Sequence, residues 1–92
     1  MQLLSKFDID SRLRALSEWK IDSGLLVRTF AFKDFRSALS FVNQVGELAE
    51  EAGHHPDIDI RYSRVRLGLT THDAGGLTAK DFELADCISR LI

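Results

Sequence analysis

A chain of 92 residues with 12 Lys and Arg against 14 Asp and Glu, formal net charge −2, has no run of basic residues to hold phosphates, so no direct nucleic-acid partner is expected. The single cysteine, Cys87, excludes an internal disulfide and any multi-cysteine metal site. No apolar run is long enough to span a bilayer and the N-terminus lacks a signal-peptide pattern, so a cytoplasmic protein with no membrane partner is expected. With 45% hydrophobic residues the chain reads as a single domain over 1–92, but folding at this size hides only roughly 60–65% of the unfolded surface, so the core is thin and self-association is expected.

Residues 8–17 place Ile9, Leu13 and Leu16 at helical spacing, with Asp8 or Asp10 as N-cap, and predict a short first helix. From Glu18 the period changes. Trp19 and Ile21 alternate with Lys20 and Asp22, Asp22-Ser23-Gly24 offers a turn, and Leu25 to Phe32 is a β-prone run, which together predict a hairpin. Its second strand is apolar on both faces, Leu26, Phe30 and Phe32 on one and Leu25, Val27 and Ala31 on the other, so a cover over the second face or the edge is expected, and a second subunit could supply it.

Asp34 can cap the next helix, Phe35 or Arg36 to Ala52, in which Ala38, Val42, Val45, Leu48, Ala49 and Ala52 share one stripe and Gly53 supplies a left-handed end. Pro56 prevents continuation and favours extended backbone at His55. Ile58, Ile60 and Tyr62, then Val65, Leu67 and Leu69, alternate with polar residues around Ser63-Arg64, predicting a second hairpin with one buried face. Gly75-Gly76 breaks it. The capping-box pattern Thr78-Ala79-Lys80-Asp81 opens a last helix with Phe82, Ala85, Ile88 and Ile92 inward. The order α-β-β-α-β-β-α predicts an α+β two-layer sandwich, a four-stranded antiparallel sheet with helices on one face.

All three histidines, His54, His55 and His72, fall around the second hairpin. A hairpin returns its end to its start, so His72 can lie near His54, and histidine suits proton transfer because it titrates near neutral pH when unperturbed. Each residue also has an ordinary structural reading. Adjacent histidines in a loop are commonly surface polar groups, and Glu50 can be an exposed helix-end carboxylate or can accept an imidazole N–H. Asp81 satisfies a capping box, and Trp19 and Tyr62 are commonly core aromatics. Pro56 and Gly53 are accounted for by ending a helix. Three imidazoles also raise catalytic zinc, but adjacent histidines diverge and no H-E-x-x-H spacing is present, so no metal is expected. No G-x-S-x-G elbow or phosphate-binding glycine loop exists.

Glu50, His54-His55-Pro56, Tyr62, His72 and Asp81, at those spacings, resemble the signature of pterin-4a-carbinolamine dehydratases, with no departure at a signature position. Trp19-Lys20, Arg28-Thr29-Phe30 and Phe32-Lys33-Asp34-Phe35 are also similar to the family, so the resemblance covers about Leu16 to the C-terminus. It implies dehydration of 4a-hydroxytetrahydropterin to quinonoid dihydropterin, recycling the product of an aromatic amino-acid hydroxylase without metal or other cofactor. It implies His54, His55 and His72 as the catalytic residues, His54 and His72 as the acid/base pair and His55 contacting and orienting the pterin or assisting protonation. Asp81 would support the site, and Glu50, Pro56, Trp19 and Tyr62 would frame the pocket. Homodimers or homotetramers are implied. Two competing expectations are an interaction module, since some family members act as dimerisation cofactors of a homeodomain transcription factor, and a metal-dependent hydrolase on the same imidazoles.

Overall fold

The element order expected from the sequence is the order observed. The computed structural model describes residues 2–92. It contains helix α1 (Lys6–Leu13), strands β1 (Lys20–Asp22) and β2 (Leu25–Ala31), helix α2 (Phe35–Ala52), strands β3 (Asp57–Arg61) and β4 (Arg64–Leu69), and helix α3 (Ala79–Ser89). A single 3-10 turn, His72–Ala74, lies between β4 and α3. The strands form one antiparallel sheet in the order β1-β2-β4-β3.

The helices lie on one face of that sheet. Leu26 and Phe30 of β2 and Val65, Leu67 and Leu69 of β4 meet Ala38, Phe41 and Val45 of α2 and Phe82, Leu84, Ala85 and Ile88 of α3 in one core. Aromatic rings fill its centre, with Phe30 centred 4.6 Å from Phe41 and 6.0 Å from Trp19. Rings of this size bury roughly 150–250 Å² each, a large contribution in so small a core.

Several expectations are corrected in detail. The first helix is Lys6–Leu13, because Ser5 caps it by accepting the Asp8 N–H at 3.1 Å, so that it starts two residues before the predicted start. Leu16 is still buried, reached by tight turns in which Leu16 N–H donates to Leu13 O at 3.0 Å. The last helix ends at Ser89, so Ile92 is exposed and does not join the core. The α2 stripe is centred on Phe41, which periodicity alone did not select, while Ala52 is exposed. The second hairpin buries its apolar face only along β4. β3 is the outer strand of the sheet, and there Ile58 is exposed and Ile60 half-buried.

The second face of β2 is covered from within the chain at Val27. Arg66 on β4 donates from Nη2 to Asp22 Oδ2 on β1 at 2.8 Å, and β2 lies between those strands, so the Arg66 stem crosses it above Val27. Val27 pairs with Gly68, where a Cβ would stand 3.3 Å from Leu25 Cδ1; the missing side chain lets Leu25 and Val27 settle on the sheet. A long basic side chain can cover apolar surface in this way while its head stays in water.

Asp34 closes the first turn of α2 by accepting the Ser37 N–H at 2.8 Å. That backbone hydrogen bond, helped by the Ser37 side chain and by Lys33, holds the Asp34 carboxyl below its ordinary value of 3.8. A depressed folded-state value means that the ionised cap stabilises the fold above the unfolded value and that this contribution is lost as pH falls through the folded one. Asp34→Ala is therefore expected to lower the denaturation midpoint at neutral pH, with the gap to wild type narrowing as pH falls below the ordinary value of 3.8. Denaturant titrations at neutral pH and below 3.8 check this, and an unchanged gap would show that the charge of Asp34 contributes nothing.

Candidate active site

The backbone first brings the three histidines together. Helix α2 ends at Gly53 with φ 61°, its N–H directed to the Ala49 and Glu50 carbonyls, and the His54 N–H donates to Ala49 O at 3.1 Å. Such a left-handed ending turns the chain sharply off the helix axis. Pro56 is half-buried and feeds His55 into β3. Strand β4 returns alongside, Asp57 opposite Gly68, so the residues after Leu69 arrive beside His54 and His55. Thr71 then pairs with Gly76, with N–H to O distances of 3.0 and 3.3 Å, and closes a small loop that carries His72.

Asp81 is the buried anchor of the site. Its exposure is 0%, and its Oδ2 accepts both the Thr78 backbone N–H at 2.9 Å and the Thr71 hydroxyl at 2.9 Å. A hydroxyl has one proton, so Thr71, having given its own to Asp81, accepts from Thr78 Oγ1 at 2.8 Å. The remaining Asp81 oxygen, Oδ1, lies 2.6 Å from His54 Nε2. An ionised carboxylate only accepts, so Nε2 carries a proton and donates it to Oδ1. In neutral His54 the other nitrogen, Nδ1, then bears the lone pair. Nδ1 has no hydrogen-bond partner, and among the described residues no fully buried polar side-chain atom lacks one, so Nδ1 keeps some contact with solvent in a side chain that is 10% exposed.

His55 and Glu50 form a second, exposed pair, Nε2 to Oε2 at 2.5 Å. His72 is exposed on its 3-10 turn. All three histidines line one cleft of about 230 Å³, together with Thr70, Asp73 and Lys80. Among the described residues no grouping of three His, Cys, Asp or Glu could hold a metal ion.

Two residues expected to frame the pocket stand elsewhere in this chain. Trp19 is buried, and its Nε1–H donates to Ser89 Oγ at 2.8 Å at the far end of α3 from Asp81. Tyr62 is 70% exposed in the β3–β4 turn with φ 54°. The length of β3, about 17 Å at 3.3–3.4 Å per residue, separates it from His55. Sequence reasoning missed Thr71, Thr78 and Lys80. A signal existed for the first two: hydroxyl residues stand directly before His72 and at the cap position that Asp81 must face.

A family model described as pterin 4 alpha carbinolamine dehydratase matches residues 2–91. The chain belongs to this family. A relative from Acidobacterium capsulatum, provisionally named a pterin-4-alpha-carbinolamine dehydratase, is 54% identical over 92 residues and all of both chains. One from Chloroflexus aurantiacus with the same provisional name is 53% identical over all of this chain and 99% of its own. The crystal structure of a transcriptional coactivator/pterin dehydratase from Brucella melitensis superposes with a TM-score of 0.92 at 34% identity, covering 98% of each chain. A pterin dehydratase-like protein identified as a RuBisCO assembly factor in the alpha-carboxysome shares the fold, with a TM-score of 0.64 at 23% identity over 79% of this chain and 84% of its own. Membership of the pterin 4 alpha carbinolamine dehydratase family thus rests on whole-chain similarity, and the histidine cleft is this chain's candidate site for the family's chemistry.

Proposed function

We propose that this protein dehydrates 4a-hydroxytetrahydropterin to quinonoid dihydropterin and water by histidine acid/base catalysis. The observation that carries the reading is the His54–Asp81 bond, which leaves a basic nitrogen at the mouth of a cleft shared with two further imidazoles. The reaction breaks the C4a–O bond and the N5–H bond and forms the N5=C4a double bond. One proton goes to the departing hydroxyl, which leaves as water, and one is taken from N5. His54 Nδ1 suits the N5 proton, since its lone pair is present in the resting tautomer. His72, free on its turn, suits delivery to the hydroxyl, and His55, steadied by Glu50, suits contact with the ring. Asp81 fixes His54, and Pro56 fixes the direction of His55. No metal or other cofactor is required by this chemistry, since the nitrogen lone pair drives the expulsion and general acid/base groups supply roughly 10²–10⁴-fold.

The role would be to regenerate the pterin used by an aromatic amino-acid hydroxylase in the cytoplasm. Association of copies through the exposed edges β1 and β3 is the assembly we propose, since each edge carries an exposed isoleucine, Ile21 and Ile58. A second reading, capture of a protein partner, is favoured by one observation: Phe35, Leu39 and Tyr62 expose apolar surface together at the start of α2.

Nuclear magnetic resonance with 7,8-dihydrobiopterin as an unreactive ligand separates the two readings. Ring resonances of His54, His55 and His72 are expected to shift on titration while those of Phe35 stay in place. Absence of any histidine shift at saturating ligand would count against the dehydratase.

A further inference from the structure

The histidine cleft is incomplete within one chain. At about 230 Å³ it falls below the roughly 300–1,000 Å³ typical of small-molecule pockets. Apart from the three imidazoles its lining offers no aromatic ring, whereas a flat bicyclic substrate is held best against apolar or aromatic faces. Tyr62, in turn, is an aromatic side chain with no task in its own chain. It is 70% exposed, and its φ of 54° is a left-handed value that strains a bulky residue and suits Asn or Gly. Outliers of this kind cluster at functional sites.

A second copy brings the two together. The free edge of β3 can continue the sheet, and with five residues it offers more to pair than the three of β1. In a two-fold antiparallel pair of β3 strands, the allowed registers keep Ile58 and Ile60 on the helix side in both copies, since a shift of one residue turns a strand's faces over. Centred on Asp59, the pair matches the whole of Asp57–Arg61. Asp57 then meets the partner's Arg61, Ile58 meets the partner's Ile60, and the same contacts recur across the axis. Asp59 meets its own copy, but each is held by Arg61 of its own chain at 3.1 Å and stands opposite Arg66 on β4. Centring on Ile58 sets Asp57 against the partner's Asp59, a like-charge pair that is disfavoured, and centring on Ile60 leaves Asp57 and Ile58 against the turn.

The favoured register, continued one step, sets the partner's Tyr62 opposite Pro56. By the alternation of the strand, both lie on the helix side, next to His55 and His54. Facing residues stand about 4.5–5.5 Å apart across such a ladder, within reach of a tyrosine ring.

Resting on the dehydratase reading, we propose that two copies pair through β3 in this register and that Tyr62 acts in trans. It gives the partner's histidine cleft the ring against which the pterin lies.

The test is subunit complementation. Tyr62→Asn, which suits the left-handed backbone, is expected to keep its denaturation midpoint and its dimeric sedimentation, while kcat/KM for 4a-hydroxytetrahydrobiopterin falls about tenfold. His54→Gln removes the base. In dimers assembled at random from equal amounts of the two variants, each heterodimer carries one cleft with its own His54 and the partner's Tyr62. The mixture is expected to recover about a quarter of wild-type activity, about fivefold above the mean of the two variants. Arg61→Asp is expected to weaken the dimer about tenfold, and adding Asp57→Arg to restore it by exchanging the paired charges. A mixture no more active than the mean of the two variants, or a dimer unaffected by Arg61→Asp, overturns the proposal while leaving the dehydratase standing. Failure of wild type to accelerate the decay of the carbinolamine overturns both.

Discussion

Asp81→Asn is expected to remove most turnover while leaving the protein folded. The side-chain oxygen of Asn must stay where two donors already point, towards the Thr71 hydroxyl and the Thr78 N–H. Its amide NH2 is thereby turned towards His54 Nε2, which now has to accept. The ring switches tautomer, Nδ1 gains the proton, and the nitrogen facing the cleft becomes a donor where an acceptor is needed. Loss of one acid/base group corresponds to roughly 10²–10⁴-fold in kcat/KM. A merely structural role for Asp81 would lower stability without moving the tautomer, so the decisive readout is the pair of His54 ring-nitrogen chemical shifts in wild type and variant. Activity within about twofold of wild type, well short of that range, would refute the assignment.

His54→Gln is the second large effect. The Gln amide can reach Asp81 Oδ1 as the Nε2–H does now, so the buried carboxylate keeps its donor, but no basic nitrogen remains. We expect kcat/KM to fall roughly 10²–10⁴-fold with stability within about 1 kcal/mol of wild type. His54→Ala loses the same activity and also strands one oxygen of a carboxylate that is 0% exposed, at a further cost of about 1–3 kcal/mol. Comparing the two by kinetics and denaturant titration separates chemistry from packing. His72→Ala, on an exposed turn, should lose activity with a stability change inside about 0.5 kcal/mol, and more activity than His55→Ala loses.

Strong local signals made much of this molecule legible from its residues. Asp34, Gly53 and Pro56 each dictate one backbone event, and the structure has all three where they were read. The alternation of Val65, Leu67 and Leu69 identified the strand that carries the core. Periodicity says which residues can share a face, and not where an element ends or whether it lies at an edge; Ile58 was misplaced because β3 is an outer strand, and Ile92 because α3 ends at Ser89. Ser5 was overlooked as a cap because Asp8 and Asp10 compete for that role on paper, and only packing decides the phase of so short a helix. The cover over Val27 depended on Arg66 crossing a strand, a contact between residues 44 apart that no local pattern encodes.

At the site, the sequence reading reached the three histidines, Glu50 and Asp81 but left open whether Asp81 caps a helix or holds a ring. The structure has it doing both, because a carboxylate has two oxygens: Oδ2 completes the cap and Oδ1 meets His54. Trp19 and Tyr62 came from family resemblance, and in this chain neither lines the cleft; Trp19, directly before β1, is tied to the end of α3 through Ser89. Lys80 had no distinguishing signal in the sequence, since its place on the cleft exists only once α2 and α3 are side by side.

The most direct measurement is the decay of 4a-hydroxytetrahydrobiopterin, generated in place by an aromatic amino-acid hydroxylase and followed by stopped-flow absorbance near neutral pH, with and without the wild-type protein. The account predicts decay accelerated in proportion to protein concentration, with the acceleration lost when His54→Gln replaces wild type. Decay at the uncatalysed rate in the presence of folded wild-type protein would contradict it.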